Sequence, residues 1–96
     1  MGRHAPVIHA TRRPTTIEAM QLTEDPQVQD DIIAWALSYG GTVSKEGVMI
    51  ACLTVDGNVA LVMPGWYLLR GTQGEFYPCK QDIFESTYDV IDREFT

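Results

Sequence analysis

The 96-residue chain has few of the residues on which catalysis and metal binding most often depend, with only two histidines and two cysteines. Both histidines lie within the first nine residues, and neither cysteine has a second ligand at the spacing of a zinc site. No glycine-rich segment carries the Lys-Ser/Thr pair of a phosphate-binding loop. We therefore expect no metal and no cofactor.

A catalytic cysteine is disfavoured for a related reason. Cys79 would need a base, normally histidine, and both histidines are far away in sequence on a segment expected to be mobile. Lys80 could in principle lower the pKa of this thiol. Asp82 and Glu85 form a pair of carboxylates, but a three-residue spacing is typical of the solvated face of a helical turn. The sequence thus predicts a protein that is not an enzyme.

Long hydrophobic runs are absent as well. The longest, VMIACL at 48–53 and VALVM at 59–63, fall far short of the about 20 residues that a membrane helix needs. The first residues also lack the apolar core of a signal peptide. Cys52 lies within an apolar run and is predicted to be a small core residue, so we expect no disulfide. These features predict one soluble, cytoplasmic domain with no membrane partner.

Positive charge is scarce and unevenly placed. Seven Lys and Arg oppose thirteen Asp and Glu, for a net charge of −6. Residues 1–13 carry +3 and are predicted to form a flexible basic N-terminal arm, whereas residues 14–96, the predicted single domain, carry −9. Because so acidic a body repels phosphate backbones, a nucleic-acid partner is disfavoured, although the arm alone could touch an anion.

Hydrophobic periodicity predicts one clear helix. Asp25 suits its N-cap, Pro26 suits its first position, and Gly40 or Gly41 suits its end. An apolar stripe with helical spacing runs along this segment and is predicted to face the core: Val28, Ile32, Ile33, Trp35, Ala36, Leu37 and Tyr39.

The remaining segments predict β-structure. One strand, at 14–23, precedes the helix. A four-strand meander follows the helix, with strands at 42–55, 58–63, 66–71 and 75–79. A short helical turn at 80–86 and a final strand at 87–95 come next. Asp56-Gly57 indicates a hairpin, and Pro64-Gly65 indicates a type II turn. We predict an α+β fold, namely a strongly bent antiparallel sheet or small partly open β-barrel with one main helix packed on it.

The central predicted strands are apolar on both faces, whereas an antiparallel sheet with one solvated face should alternate. Either the sheet curls and the helix covers its outer face, or apolar surface is left to meet a second copy. We expect a homo-oligomer, since large uncovered apolar patches are rare on monomers.

The segment GEFYPCKQDIF at 74–84 is the densest mixture of residue types in the chain. A purely structural interpretation accounts for most of it, because Gly74 completes a turn, Pro78 stops a strand, and Ile83 and Phe84 plug the barrel end. The alternative is a binding surface in which side chains from neighbouring strands project on the same side. This patch, suited to a nucleotide-like or acidic partner, would consist of Trp66, Arg70, Glu75, Tyr77 and Lys80.

Two segments, RRPTTIEAMQLT at 12–23 and PGWYLLRGTQGEFYPCKQDIFESTYDVI at 64–91, resemble a family of small uncharacterised proteins of tailed phages and prophages. That family opens with a basic-Lys-Pro-Val-x-Ile-Glu-Ala pattern and closes with Pro-Gly-Asp-Trp, Gly-Glu-Phe-Tyr-Pro and Lys-Pro-Asp-Ile-Phe-x-x-Thr-Tyr. Trp66 stands where the family usually has Asp, and Gln81 where it usually has Pro. The resemblance implies a phage or prophage origin and an accessory role outside the virion, with no catalytic residue to transfer.

These observations predict a non-enzymatic phage accessory protein that binds and neutralises a host factor, such as a component of anti-phage defence. The factor is either a host protein or a small nucleotide-like signal, bound in the host cytoplasm. An acidic domain suits occupancy of a nucleic-acid-binding site on a host protein. The alternative function is a small structural or assembly protein of the phage particle.

Overall fold

The computed structural model describes residues 6, 7, 9 and 15–91 and shows an α+β fold, as the sequence predicts. Within these residues six strands form two three-stranded antiparallel sheets, accompanied by two helices, and the sheets do not close into a barrel. The elements, in chain order, are β1 (Glu18–Gln21), α1 (Pro26–Ser38), β2 (Val43–Glu46), β3 (Met49–Leu53), β4 (Val59–Val62), β5 (Tyr67–Arg70), β6 (Phe76–Cys79) and α2 (Gln81–Thr87). The arginines of the predicted basic arm lie outside the described residues.

Helix α1 begins and ends as its sequence indicates. The Asp25 side chain accepts a hydrogen bond from the backbone N–H of Gln27 at 2.9 Å, and Pro26 occupies the first turn. At the other end Gly40 adopts a left-handed φ of 81°, and the N–H of Gly41 donates to the carbonyl of Ala36 at 2.8 Å, which forms a Schellman motif. The helix is therefore closed by local backbone geometry at both ends.

The buried face of α1 is narrower than its apolar stripe. Gln29, Ile32 and Ala36 are buried, whereas Leu37 and Tyr39, predicted to face the core, are exposed. Tyr39 falls just beyond the last helical turn, so its side chain no longer follows the helical spacing. Gln29 is the unexpected core residue, and its amide donates to two carbonyls at the β2–β3 turn, those of Gly47 and Met49.

The sheet orders are β1-β5-β6 and β2-β3-β4, so the predicted single meander is wrong. The segment at 42–55 folds back on itself because Gly47, with a φ of 62°, opens a two-residue turn between β2 and β3. Gly57 turns the chain again between β3 and β4, as predicted. The Pro64–Gly65 turn, closed by a 2.9 Å hydrogen bond from the N–H of Trp66 to the carbonyl of Met63, then carries the chain into the first sheet.

The main core lies between α1 and the inner faces of both sheets. Its fully buried members are Leu22, Ile32, Ala36, Ile50, Cys52, Val62 and Leu68, and Phe76 is nearly so. The register places Leu69 on the other face of the first sheet, where it is also fully buried. Helix α2 packs on that face, since the ring of Phe84 stacks on Tyr67 at 3.8 Å between centroids.

Two further sequence expectations concern the C-terminus and the membrane. Residues 88–91 of the predicted final strand form no strand, and residues 92–95 lie outside the described part of the chain. Among the described residues, no helix has the length and apolar character required to cross a membrane.

Candidate binding groove beside Trp66

The five residues predicted to form a patch do not all lie together. Trp66 and Lys80 lie together beside the Pro64–Gly65 turn, with the Nζ atom of Lys80 5.8 Å from the centroid of the Trp66 ring. Arg70, Glu75 and Tyr77 are each engaged elsewhere. The prediction that these side chains project on the same side of the sheet is wrong for Arg70 and Tyr77. Arg70 pairs with Phe76, whereas Tyr77 pairs with Leu69. Because successive positions of a strand point to opposite faces, the two side chains lie on opposite faces of the sheet.

Trp66 and Lys80 line an open groove of about 350 Å³. The apolar side is formed by Pro64 and the indole of Trp66, and the polar side by the start of helix α2. The full lining is Pro64, Trp66, Lys80, Gln81, Asp82 and Glu85. The groove thus combines one aromatic surface, one cation and two carboxylates.

Backbone hydrogen bonds hold the apolar side of the groove in place. Leu22, immediately after β1, donates its N–H to the carbonyl of Trp66 at 2.8 Å and accepts from the N–H of Gly65 at 2.7 Å. The side-chain amide of Gln21 donates to the carbonyl of Gly65 at 3.0 Å. Trp66 also packs against the core. The turn is therefore fixed before any ligand arrives.

Helix α2 presents the polar side. Lys80 occupies its N-cap position, and Asp82 lies in its first turn, where a carboxylate is favoured by the helix dipole. The amide of Gln81 donates to Glu85 at 3.1 Å, one turn further along. Position 65 approaches the helix closely, since a Cβ built on Gly65 would lie 3.2 Å from Oε1 of Gln81. The stacking of Phe84 on Tyr67 keeps this helix against the sheet.

Arg70 has a structural environment away from the groove. Its Nη1 atom donates to Oε1 of Glu18 at 2.8 Å across the β1–β5 pair, and its guanidinium lies 4.1 Å from the centroid of the Tyr39 ring. Its Nε atom is buried without a hydrogen-bond partner among the described residues. Arg70 thus joins β1, β5 and the end of α1.

Glu75 and Tyr77 also make local contacts. The carboxylate of Glu75 accepts a hydrogen bond from the backbone N–H of Gln73 at 2.9 Å and so stabilises the β5–β6 turn. Burial raises the pKa of Tyr77 to about 12, assisted by a hydrogen bond with Tyr88 and by the nearby negative charge of Glu75. Tyr77 is therefore neutral at ordinary pH and belongs to the aromatic cluster on the α2 side of the sheet.

The environment of the Cys79 thiol differs from the sequence expectation that Lys80 could lower its pKa. The pKa of Cys79 is raised, first by burial and then by the charge of Asp82, so Lys80 does not activate it. Burial likewise raises the pKa of Cys52, and both cysteines are free thiols. Across residues 15–91 and the three described residues before them, no group of three or more His, Cys, Asp or Glu is arranged to hold a metal ion.

Sequence reasoning identified two of the six residues of the groove and missed the acids. The three-residue spacing of Asp82 and Glu85 predicts a solvated helical face, and both residues are exposed. Their proximity to Trp66 follows from the way α2 folds back across the Pro64–Gly65 turn. No local sequence pattern encodes that approach. The sequence does contain one signal for the start of the helix, namely the acid Asp82 in its predicted first turn.

Comparison with protein-family models, with curated proteins and with solved structures finds no match to this chain.

Proposed function

We propose that the protein is a non-enzymatic binding protein that occupies a basic surface of a partner protein through the groove beside Trp66. The observation that carries this proposal is the meeting of one half-buried aromatic side chain, that of Trp66, with two exposed carboxylates, those of Asp82 and Glu85, at the groove. The resemblance to tailed-phage proteins makes a protein of the bacterial host the expected partner, and neutralisation by occupancy the expected outcome.

Charge supports a basic partner. Residues 15–91 contain eleven acids and three bases, a net charge of −8. Two of these bases are already engaged, since Lys45 pairs with Asp30 and Arg70 with Glu18. Lys80 is the third, and it lies over Trp66. The surface offered to a partner is therefore strongly acidic, which speeds encounter with a basic surface and repels an acidic one.

The groove favours a cationic side chain over a phosphate. An Arg or Lys of a partner can displace Lys80 from the indole and reach the carboxylates of Asp82 and Glu85, which combines cation–π contact with ion pairing. A phosphate entering the groove meets one lysine and two acids, a net charge of −1. A protein partner is for this reason preferred to a nucleotide-like ligand.

The proposal is tested by affinity capture from bacterial host lysate, with proteins identified by mass spectrometry and small molecules by absorbance near 260 nm. Four forms of the tagged protein are compared: the unaltered chain, Trp66→Ala, Asp82→Asn with Glu85→Gln, and Glu24→Gln with Asp31→Asn. The last pair removes the same charge from the region of α1 and serves as the matched control.

We expect a basic protein to be captured by the unaltered chain and by the α1 control, and to be lost with either groove variant. Capture should also weaken as salt rises, because exposed charges are screened. Equal capture by all four forms would overturn the role of the groove. Release of a nucleotide in place of a protein would overturn the choice of partner.

A further inference from the structure

The outer face of the β2–β3–β4 sheet is apolar and uncovered within the described chain. Helix α1 packs on the inner face, so it does not cover the outer one. The register places seven side chains on the outer face, and five of them are apolar: Ser44, Glu46, Met49, Ala51, Leu53, Val59 and Leu61. Val59 is 69% exposed and Leu61 43% exposed. An exposed face of this composition is typical of a surface that is covered in the working protein.

The distribution of charge indicates what covers it. The outer face carries one charge, Glu46, at its edge, and only one other of the eleven described acids, Asp56, lies between residues 43 and 62. A basic partner is drawn to the acidic surfaces elsewhere on the molecule. A second copy of this acidic chain is repelled everywhere else, and this face is where two copies meet with the least repulsion.

The size of the face indicates how strong the association is. The three strands have four or five residues each. At about 4.8 Å between strands and about 3.4 Å per residue, they give a footprint of about 200–240 Å². Exposed Val48, Val55 and Met63 flank the strands and enlarge the contact. A standard stable interface needs about 800 Å² from each partner, so this face supports a weak, reversible dimer.

We infer that the protein forms a symmetric dimer in which the outer faces of two β2–β3–β4 sheets pack against each other. Because a two-fold axis brings the same patch of each copy together, the face has to be complementary only to itself. Ala51 is central on the middle strand, and its small side chain allows the two sheets to approach closely. This inference concerns a different surface from the Trp66 groove and does not depend on the proposed function.

The test is sedimentation equilibrium of the full chain between about 1 µM and about 1 mM, the range that resolves weak association. The unaltered chain is compared with Leu61→Glu, which places a charge in the interface, and with Leu37→Glu, which places the same charge on a leucine of α1 that is 55% exposed. We expect a concentration-dependent dimer for the unaltered chain and for Leu37→Glu. Leu61→Glu should raise the dissociation constant more than about a hundredfold, because the carboxylate has no partner there.

A second measurement needs no variant. Methyl NMR signals of Val59 and Leu61 should shift on dilution of the unaltered chain, while those of Leu37 stay constant. A monomer at every concentration would overturn the inference, as would a dimer that Leu61→Glu leaves intact. Protection of the Val59 and Leu61 methyls from a paramagnetic cosolvent in a monomer would also overturn it, since the chain itself would then cover the face.

Discussion

The Gly41→Ala substitution probes how tightly the end of α1 is packed on the first sheet. A Cβ atom at position 41 would lie 2.8 Å from two carbons of the Phe76 ring and 3.0 Å from the carbonyl oxygen of Ala36. Carbon atoms pack best at about 3.5–4.0 Å, so the ring has to move by several tenths of an ångström or more. The ring is held by burial and by an edge-to-face contact with Trp35, whose centroid is 5.4 Å away.

The expected cost is that of overpacking a core. Such insertions cost about 1–3 kcal/mol, and we expect the upper half of that range because one of the atoms that must give way is backbone. For a domain of this size about 1 kcal/mol corresponds to about 4–8 °C in the melting temperature. Gly41→Ala should therefore lower the melting temperature by about 10–20 °C.

The assay is urea unfolding followed by tryptophan fluorescence, in a double-mutant cycle with Phe76→Leu. A smaller side chain at position 76 removes the clash, so Gly41→Ala should cost about 1–2 kcal/mol less in that background. Gly40→Ala is the control, because its added Cβ meets nothing within 4 Å and its cost comes from the φ of 81° alone. Equal costs of Gly41→Ala with Phe and with Leu at position 76 would refute the steric argument.

Three further predictions concern single side chains. Asp25→Ala removes the N-cap of α1 and should lower the free energy of unfolding by about 1 kcal/mol, whereas Asp25→Ser should retain most of it; equal losses would contradict the cap. Gln29→Ala leaves the carbonyls of Gly47 and Met49 without their donor and should cost about 2 kcal/mol in urea unfolding, and an unchanged midpoint would show that these bonds contribute nothing. The pKa of Tyr77 is raised to about 12 in the folded state, so the unfolded state loses its proton first, and stability should fall as pH rises from about 10 to about 12. Unfolding midpoints measured across that range should decline less in Tyr77→Phe, and identical slopes would contradict the shift.

Local features of the fold were predictable where one residue decides them. Asp25 and Pro26 start α1, Gly40 ends it, and Pro64 with Gly65 turns the chain, all as the sequence indicates. The turn at Gly47 was missed because Gly-Val lacks the Asn-Gly or Asp-Gly pattern that marks most two-residue hairpins. That turn divides one predicted strand into β2 and β3, and the predicted meander divides into two sheets because β4 and β5 do not pair.

The candidate site was harder to predict because it depends on register and on long-range approach. Arg70 and Tyr77 differ by seven positions, yet the turn between β5 and β6 sets them on opposite faces, and periodicity within either strand does not fix that relation. Trp66 and Lys80 come together because they adjoin Tyr67 and Cys79, which pair at the end of the β5–β6 hairpin. In contrast, the absence of apolar–polar alternation in β3 and β4 is enough to predict that both faces of these strands are apolar.

The pairing of β1 with β5 joins segments that are far apart in the sequence, since Glu18 and Arg70 are 52 positions apart. The β2–β3–β4 sheet consists of consecutive hairpins, whose closure costs little chain entropy. The first sheet is complete only when β1 pairs with β5, which requires a long loop to close. We expect the apolar sheet to form early during folding and the Trp66 groove to assemble last. With this order of folding, a newly synthesised chain can associate with a second copy through its β2–β3–β4 sheet before its Trp66 groove can bind a partner protein.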